Sequence, residues 1–179
     1  MCIRDSNPGE ETQQLRVPFP ARQRNGYRAF YEYMPFGSMT GEPEIGHNLY
    51  RRMRLGSNVE LFLLDERQYR DDQPCGDALF VPCPEAESEP RRYLGGRQLD
   101  WLKRRLRASG GAWRVVANQL MIMALDTPQG SAINKDSWDG YGRERAELLN
   151  HIRASGINNV SFLTGDCLLY TSPSPRDRS

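Results

Sequence analysis

Leu49-Tyr50-Arg51-Arg52-Met53-Arg54-Leu55 alternates apolar and polar positions, and Val59-Glu60-Leu61-Phe62-Leu63-Leu64-Asp65 starts the same way before turning continuously apolar. Alternation of period two predicts two strands joined by a tight turn at Gly56-Ser57-Asn58, the first half exposed and the second central. Leu99, Leu102 and Leu106 recur at spacings of three and four. That period predicts a helix beginning at Leu94-Gly95-Gly96, with one buried face and an end at Ser109-Gly110-Gly111. Trp113-Arg114-Val115-Val116-Ala117 predicts a buried strand with Asn118-Gln119 at its exit. A second helix is predicted from Arg143 to Ser155, burying Ala146, Leu148, Leu149 and Ile152 and closed by Gly156. Val160 to Leu163 predicts a last buried strand, after which Thr164-Gly165-Asp166 delivers a carboxylate on a glycine turn.

The remaining segments are less regular. Asn7 to Asn25 is polar, Pro-punctuated and without period, which predicts a loop. Gly26 to Pro35 predicts a short helix stopped by Pro35, its aromatic residues on more than one face. Gly37–Asn48, the Pro-rich excursion Asp71–Pro90 and Asp126–Trp138 predict loops. The order hairpin, helix, strand, helix, strand predicts an α/β fold: part of a layered α/β sandwich with a mixed sheet. No internal repeat occurs.

The two ends change the reading of composition. Met1 to Ser6 can be encoded by ATGTGTATAAGAGACAG plus one base. The reverse complement of that string, read from its second base, encodes Cys167 to Thr171. The ends are thus compatible with one inverted DNA repeat and resemble the transposase end used to fragment DNA for sequencing, running into adapter sequence from Ser172 to Ser179. Residues 1–6 and 167–179 are therefore expected to be artefacts, and 7–166 the natural segment, open at both ends. Without Arg4, Arg176, Arg178, Asp5 and Asp177, the 24 basic and 23 acidic residues of the chain become 21 and 21. A neutral chain offers no basic surface for nucleic acid, and no run approaches the ~18 apolar residues of a membrane helix. Cys75 and Cys83 remain, eight apart in the Pro-rich excursion. A disulfide closing that loop suits an exported protein; the alternative is two buried thiols, and zinc would need further ligands.

Six blocks carry the candidate chemistry. They are Ala29-Phe30-Tyr31-Glu32-Tyr33-Met34-Pro35, Leu64-Asp65-Glu66-Arg67-Gln68-Tyr69-Arg70, Leu94-Gly95-Gly96-Arg97-Gln98-Leu99-Asp100-Trp101-Leu102, Ala117-Asn118-Gln119, Asp136-Ser137-Trp138-Asp139-Gly140-Tyr141 and Leu163-Thr164-Gly165-Asp166. In this order they resemble the alkaline phosphatase D family, phosphatases and phosphodiesterases of the metallophosphoesterase type, over nearly all of Asn7 to Asp166. The resemblance implies a phosphate ester substrate, a centre of iron(III) with calcium, and a periplasmic or secreted bacterial location. Hard oxygen ligands suit both ions.

Family members continue Thr-Gly-Asp with a small apolar residue and a His; here Cys167-Leu168 follow, and the family's upstream ligand loops would precede Asn7. The chain as written is therefore expected to be inactive. Asp166 is the candidate metal ligand or a turn aspartate, and Asn118 a candidate catalytic amide or a turn-stabilising one. Asp136, Trp138, Asp139 and Tyr141 either line a substrate site or pin their loop to the backbone. Arg67 and Arg70 either bind phosphate bidentately or pair with Asp65, Glu66 and Asp71. His47 and His151 are poor ligand candidates. A nucleotide-binding doubly wound domain lacks its Gly-rich phosphate loop here. The competing reading is a non-catalytic α/β ligand-binding relative, and the sequence specifies no oligomeric state.

Overall fold

A computed structural model describes residues 19–34, 49–77, 83, 84, 86, 90–124 and 135–166, without the side chains of 19, 20, 76, 77 and 166. Both ends expected to be artefacts, and His47, lie outside the described residues. The chain divides into two compact units, Met1–Asn48 and Leu49–Ser179.

In the first unit, α1 runs over Phe19–Tyr33. It starts seven residues before the expected Gly26, so residues 19–25 are helical where a loop was expected. Pro20 falls in the first turn, where a missing N–H costs no hydrogen bond, and Ala21, Arg22 and Gln23 are good helix formers. The helix ends at Tyr33, two residues before Pro35, as proline requires of its neighbour. Arg28 and Glu32 pair at 2.7 Å along its exposed side.

The second unit is built on one mixed sheet of order β1-β2-β3-β4. Strands β1 (Arg51–Leu55) and β2 (Val59–Leu63) form the expected hairpin, with Gly56 at φ +66° in its turn. A left-handed φ there favours glycine. Helix α2 (Gly95–Ala108) then leads to β3 (Trp113–Leu120), parallel to β2. Helix α3 (Gly142–Ala154) leads to β4 (Val160–Asp166), parallel to β3. The mixed α/β sheet agrees with the fold class read from the sequence.

Register separates the sheet's two faces. The rows holding Phe62 with Val116 and Leu120 point into a core made with Leu99, Leu102 and Leu106 of α2 and Leu148 of α3. The three leucines of α2 are at most 1% exposed, and each contributes roughly 1.5–3 kcal/mol by leaving water. The alternate rows run Leu55–Val59–Trp113 and Met53–Leu61–Val115 on the opposite face.

Several expectations are corrected. Strand β1 is exposed along nearly its whole length instead of half exposed, because it is an edge strand. Strand β4 is the other edge: Val160 and Phe162 are half-buried and Leu163 is exposed. In α3 only Leu148 of the four expected apolar residues is fully buried; Ala146 and Leu149 are exposed and Ile152 is half-buried. Glu144 is buried in their stead because its carboxylate accepts the Leu94 N–H at 2.7 Å, at the start of α2. Gly156, at φ +62°, closes α3 as expected.

Candidate active site

Parallel strands β2, β3 and β4 end at one edge of the sheet, where α/β folds place their ligands. Strand β2 opens into Leu64-Asp65-Glu66-Arg67, β3 ends on Asn118-Gln119-Leu120, and β4 ends on Thr164-Gly165-Asp166. Side chains tie these ends together. The Gln98 amide of α2 accepts the Asp65 N–H and donates to the Asp65 carbonyl, both at 2.8 Å. Asp65 Oδ1 accepts the N–H groups of Arg67 and Gln68 at 3.0 and 3.1 Å, an Asx turn that bends the chain out of β2.

Glu66 is the knot of the edge. It is fully buried, and its carboxylate accepts the Leu120 N–H at 2.8 Å, the Trp138 Nε1–H at 3.2 Å and the Tyr93 hydroxyl at 3.4 Å. Its own N–H donates to Gln119 Oε1 at 3.1 Å. Burial pushes the Glu66 carboxyl up to about 7 although these donors favour its charged form. A neutral Glu66 can turn its O–H toward the Tyr93 oxygen, whose own proton then faces the Asp136 carbonyl at 3.5 Å.

This shift has a sign in stability. The unfolded carboxyl titrates near 4.5 and the folded one near 7, so between those values the folded state holds the extra proton. Stability contributed by Glu66 is therefore complete below the unfolded value and lost as pH rises through the folded one, a change of about 3 kcal/mol. Urea unfolding of the wild type and Glu66→Gln across that window should show their stability difference changing by about this amount. A difference independent of pH would contradict it.

The loop from Lys135 to Tyr141 packs on this knot. Trp138 is 0% exposed and lies against Tyr93, ring centres 4.5 Å apart; Tyr141 also lies against Tyr93, tilted, at 4.8 Å. A Cβ on Gly140 would stand 2.1 Å from the Lys135 carbonyl oxygen, so the turn closes only with glycine at this position. Asp136 takes Arg67 at 3.0 Å and Arg70 at 2.5 Å. Burial alone would raise the Asp136 carboxyl, but Arg70 and then Arg67 outweigh it and hold it below the usual range. Asp136, sixty-nine positions from Arg67, is a partner of the two arginines that the sequence reading did not name; the charge of Arg67 also bears on Glu66, one of the partners it did name.

Asp139 is buried and pairs with Arg145 at 2.5 Å. Tyr141 donates its hydroxyl to the Asp71 carbonyl at 2.6 Å, and burial pushes its phenol up to about 12. Arg67, Asp139 and Tyr141, each read from the sequence as meeting substrate or as holding its surroundings, are engaged here with Asp136, Arg145 and the Asp71 carbonyl. Asp71 also exchanges hydrogen bonds with the backbone of Arg92, N–H to carbonyl and N–H to carboxylate, each at 2.7 Å. These close the neck of the excursion in which Cys75 and Cys83 are bridged, S–S 2.06 Å.

At the sheet edge itself, Asn118 lies within β3 and not beyond its exit, because the strand continues to Leu120. It is 4% exposed; Nδ2 donates to the Leu120 carbonyl and to Thr164 Oγ1, and Oδ1 has no hydrogen-bond partner. Thr164-Gly165-Asp166 also continues its strand in place of the expected turn. Gly165 does not take a positive φ, and Asp166 stands opposite Leu120 in register, two residues beyond the Asn118–Thr164 pair. The orphaned Asn118 oxygen has the hard character that calcium or iron(III) prefers. Among the described residues, however, no three His, Cys, Asp or Glu side chains converge, so these residues do not by themselves fit either ion.

The sequence reading missed Glu66 and Gln98 as the ties of this edge. A glutamate set directly against a buried strand end was the available signal for Glu66; the pairing of Gln98 with Asp65 spans thirty-three positions and leaves no local trace.

The profile of the family described as PhoD-like phosphatase matches residues 4–168. Alkaline phosphatase D of Bacillus subtilis (strain 168) is 36% identical over 165 residues, covering 90% of this chain and 28% of that protein. A solved structure titled "Structure of PhoD" superposes with a TM-score of 0.72 at 36% identity, over 81% of this chain and 28% of its own. The chain thus spans a little over a quarter of the length of the relatives it matches.

Proposed function

Because this chain belongs to the PhoD-like phosphatase family, we propose that it forms part of an enzyme that hydrolyses phosphate esters, with its chemistry at the edge where β2, β3 and β4 end. One observation carries the proposal: Asn118, buried in that edge, holds an oxygen with no partner, and Asp166 follows two residues beyond the Asn118–Thr164 pair. The name of the relative at 36% identity, alkaline phosphatase D, supports it.

The resemblance implies iron(III) and calcium, which if held at this edge would supply the Lewis acidity that metal ions bring to ester hydrolysis. Asn118 would offer a neutral oxygen donor and Asp166 an anionic one, and an ion held there would need further donors besides these two. Glu66 ties the chain leaving β2 to the end of β3, Gln98 ties it to α2, and Asp136 holds Arg67 and Arg70. The proposed location is periplasmic or secreted, supported by the bridge between Cys75 and Cys83, which persists in oxidising compartments. Among the described residues no helix is long and apolar enough to cross a membrane.

The 179-residue chain supplied with iron and calcium is expected to leave an aryl phosphate unhydrolysed. Residues 7–166 exchanged into the matching region of Bacillus subtilis alkaline phosphatase D should restore metal-dependent turnover at an enzyme-like rate, on the order of 1 s⁻¹ or faster. A chimera that folds and loads metal yet turns nothing over would overturn the proposal in favour of a non-catalytic relative. Turnover by the chain alone would show that the missing donors lie within it.

A further inference from the structure

Strand β3 outruns its neighbour on one side. The ladder between β2 and β3 ends at the Leu63–Ala117 pair, with one more backbone bond from the Leu64 N–H to the Ala117 carbonyl at 3.0 Å, whereas β3 continues to Leu120. Glu66 stands in for the missing rung. Its carboxylate accepts the Leu120 N–H at 2.8 Å, and its own N–H donates to Gln119 Oε1 at 3.1 Å. The carbonyl of the same Leu120 accepts from Asn118 Nδ2. A carbonyl only accepts, so it selects the Nδ2 end of the Asn118 amide and repels the Oδ1 end. Thr164 Oγ1, 3.5 Å from Nδ2, can donate as well as accept and makes no such choice.

We propose that Glu66 is a positioning residue for Asn118: by anchoring Leu120 where β2 no longer pairs with β3, it sets which end of the Asn118 amide is free to meet a ligand at the strand ends. The end left over, Oδ1, is the buried oxygen without a hydrogen-bond partner. Glu66 is suited to act as the anchor because it is itself held, by the Trp138 Nε1–H at 3.2 Å and the Tyr93 hydroxyl at 3.4 Å besides Leu120. Orienting a ligand-facing side chain through its other polar atom is a general device of binding sites. The inference rests on the reading that Asn118 meets the ligand, but its test reads the amide and not turnover. A silent chimera therefore bears on that reading alone, and a misplaced amide on this inference alone.

In the 179-residue chain labelled with nitrogen and carbon isotopes, nuclear magnetic resonance should detect a through-hydrogen-bond coupling between Asn118 Nδ2 and the Leu120 carbonyl carbon. Its absence would overturn the proposal. Glu66→Met keeps the length of the side chain and removes both acceptor oxygens. The coupling should then vanish, and solvent exchange of the Asn118 side-chain N–H protons should quicken at least about fivefold relative to the Val116 backbone N–H in the middle of the same strand. A merely structural Glu66 would speed both alike, and that result, or a folded methionine variant that keeps the coupling, would overturn the proposal. Glu66→Gln combined with Trp138→Phe restores an acceptor for the Leu120 N–H and removes the indole N–H that the glutamine amide would oppose. This double variant should regain the coupling and hold the exchange ratio within about twofold of the wild type. A folded double variant without the coupling overturns the proposal even where methionine prevents folding.

Discussion

Trp138→Ala is expected to destabilise the chain by about 3–5 kcal/mol, the range for deleting a large buried aromatic side chain. Trp138 is fully buried between Tyr93 and the end of β3, and its indole N–H is one of the donors satisfying Glu66. Alanine leaves a cavity against Tyr93 and an under-satisfied buried carboxyl group together. Trp138→Phe separates the two losses: it keeps most of the apolar volume and drops the N–H, and should cost about 1–3 kcal/mol. Without that donor the charged form of Glu66 loses support, so the phenylalanine variant should be weakened more above the folded Glu66 value of about 7 than below it. Equilibrium unfolding in guanidinium, followed by circular dichroism, gives both numbers. An alanine variant within about 1 kcal/mol of the wild type would mean that the loop from Lys135 to Tyr141 is not part of the folded core.

Those residues also mark where sequence reading succeeds and where it stops. The leucines of α2 were legible because Leu99, Leu102 and Leu106 keep the helical period and all three point into one core. The hairpin was legible because its alternation and its Gly56 turn agree. The burial of α3 was misread because Ala146 and Leu149 are apolar yet exposed, whereas Glu144 is charged yet buried against the Leu94 N–H fifty positions earlier. No window of local pattern contains that partner. The same limit hid the grip of Asp136 on Arg67 and Arg70 and the triple acceptance by Glu66. Gly165 misled for a different reason. Glycine is permitted in turns but not confined to them, and here the ladder between β3 and β4 carries on through it to Asp166.

The assignment of chemistry to the strand ends stands or falls with Asp166. In the chimera with Bacillus subtilis alkaline phosphatase D, Asp166→Asn preserves the shape of the side chain and removes its negative charge. Charge stabilisation by a bound metal ion is worth several kcal/mol, so the loss of an anionic ligand should lower turnover at least about 10²-fold and reduce metal content with it. Asn118→Ala in the same background removes a neutral amide, and a smaller loss is expected. If Asp166 merely continued β4, the amide would substitute for it with a change in stability of about 0.5 kcal/mol or less. Aryl phosphate turnover and bound iron and calcium, measured together on the chimera and its Asp166→Asn variant, decide between these roles: a joint fall in rate and metal content is predicted, and full metal loading with near-parental turnover would contradict the account.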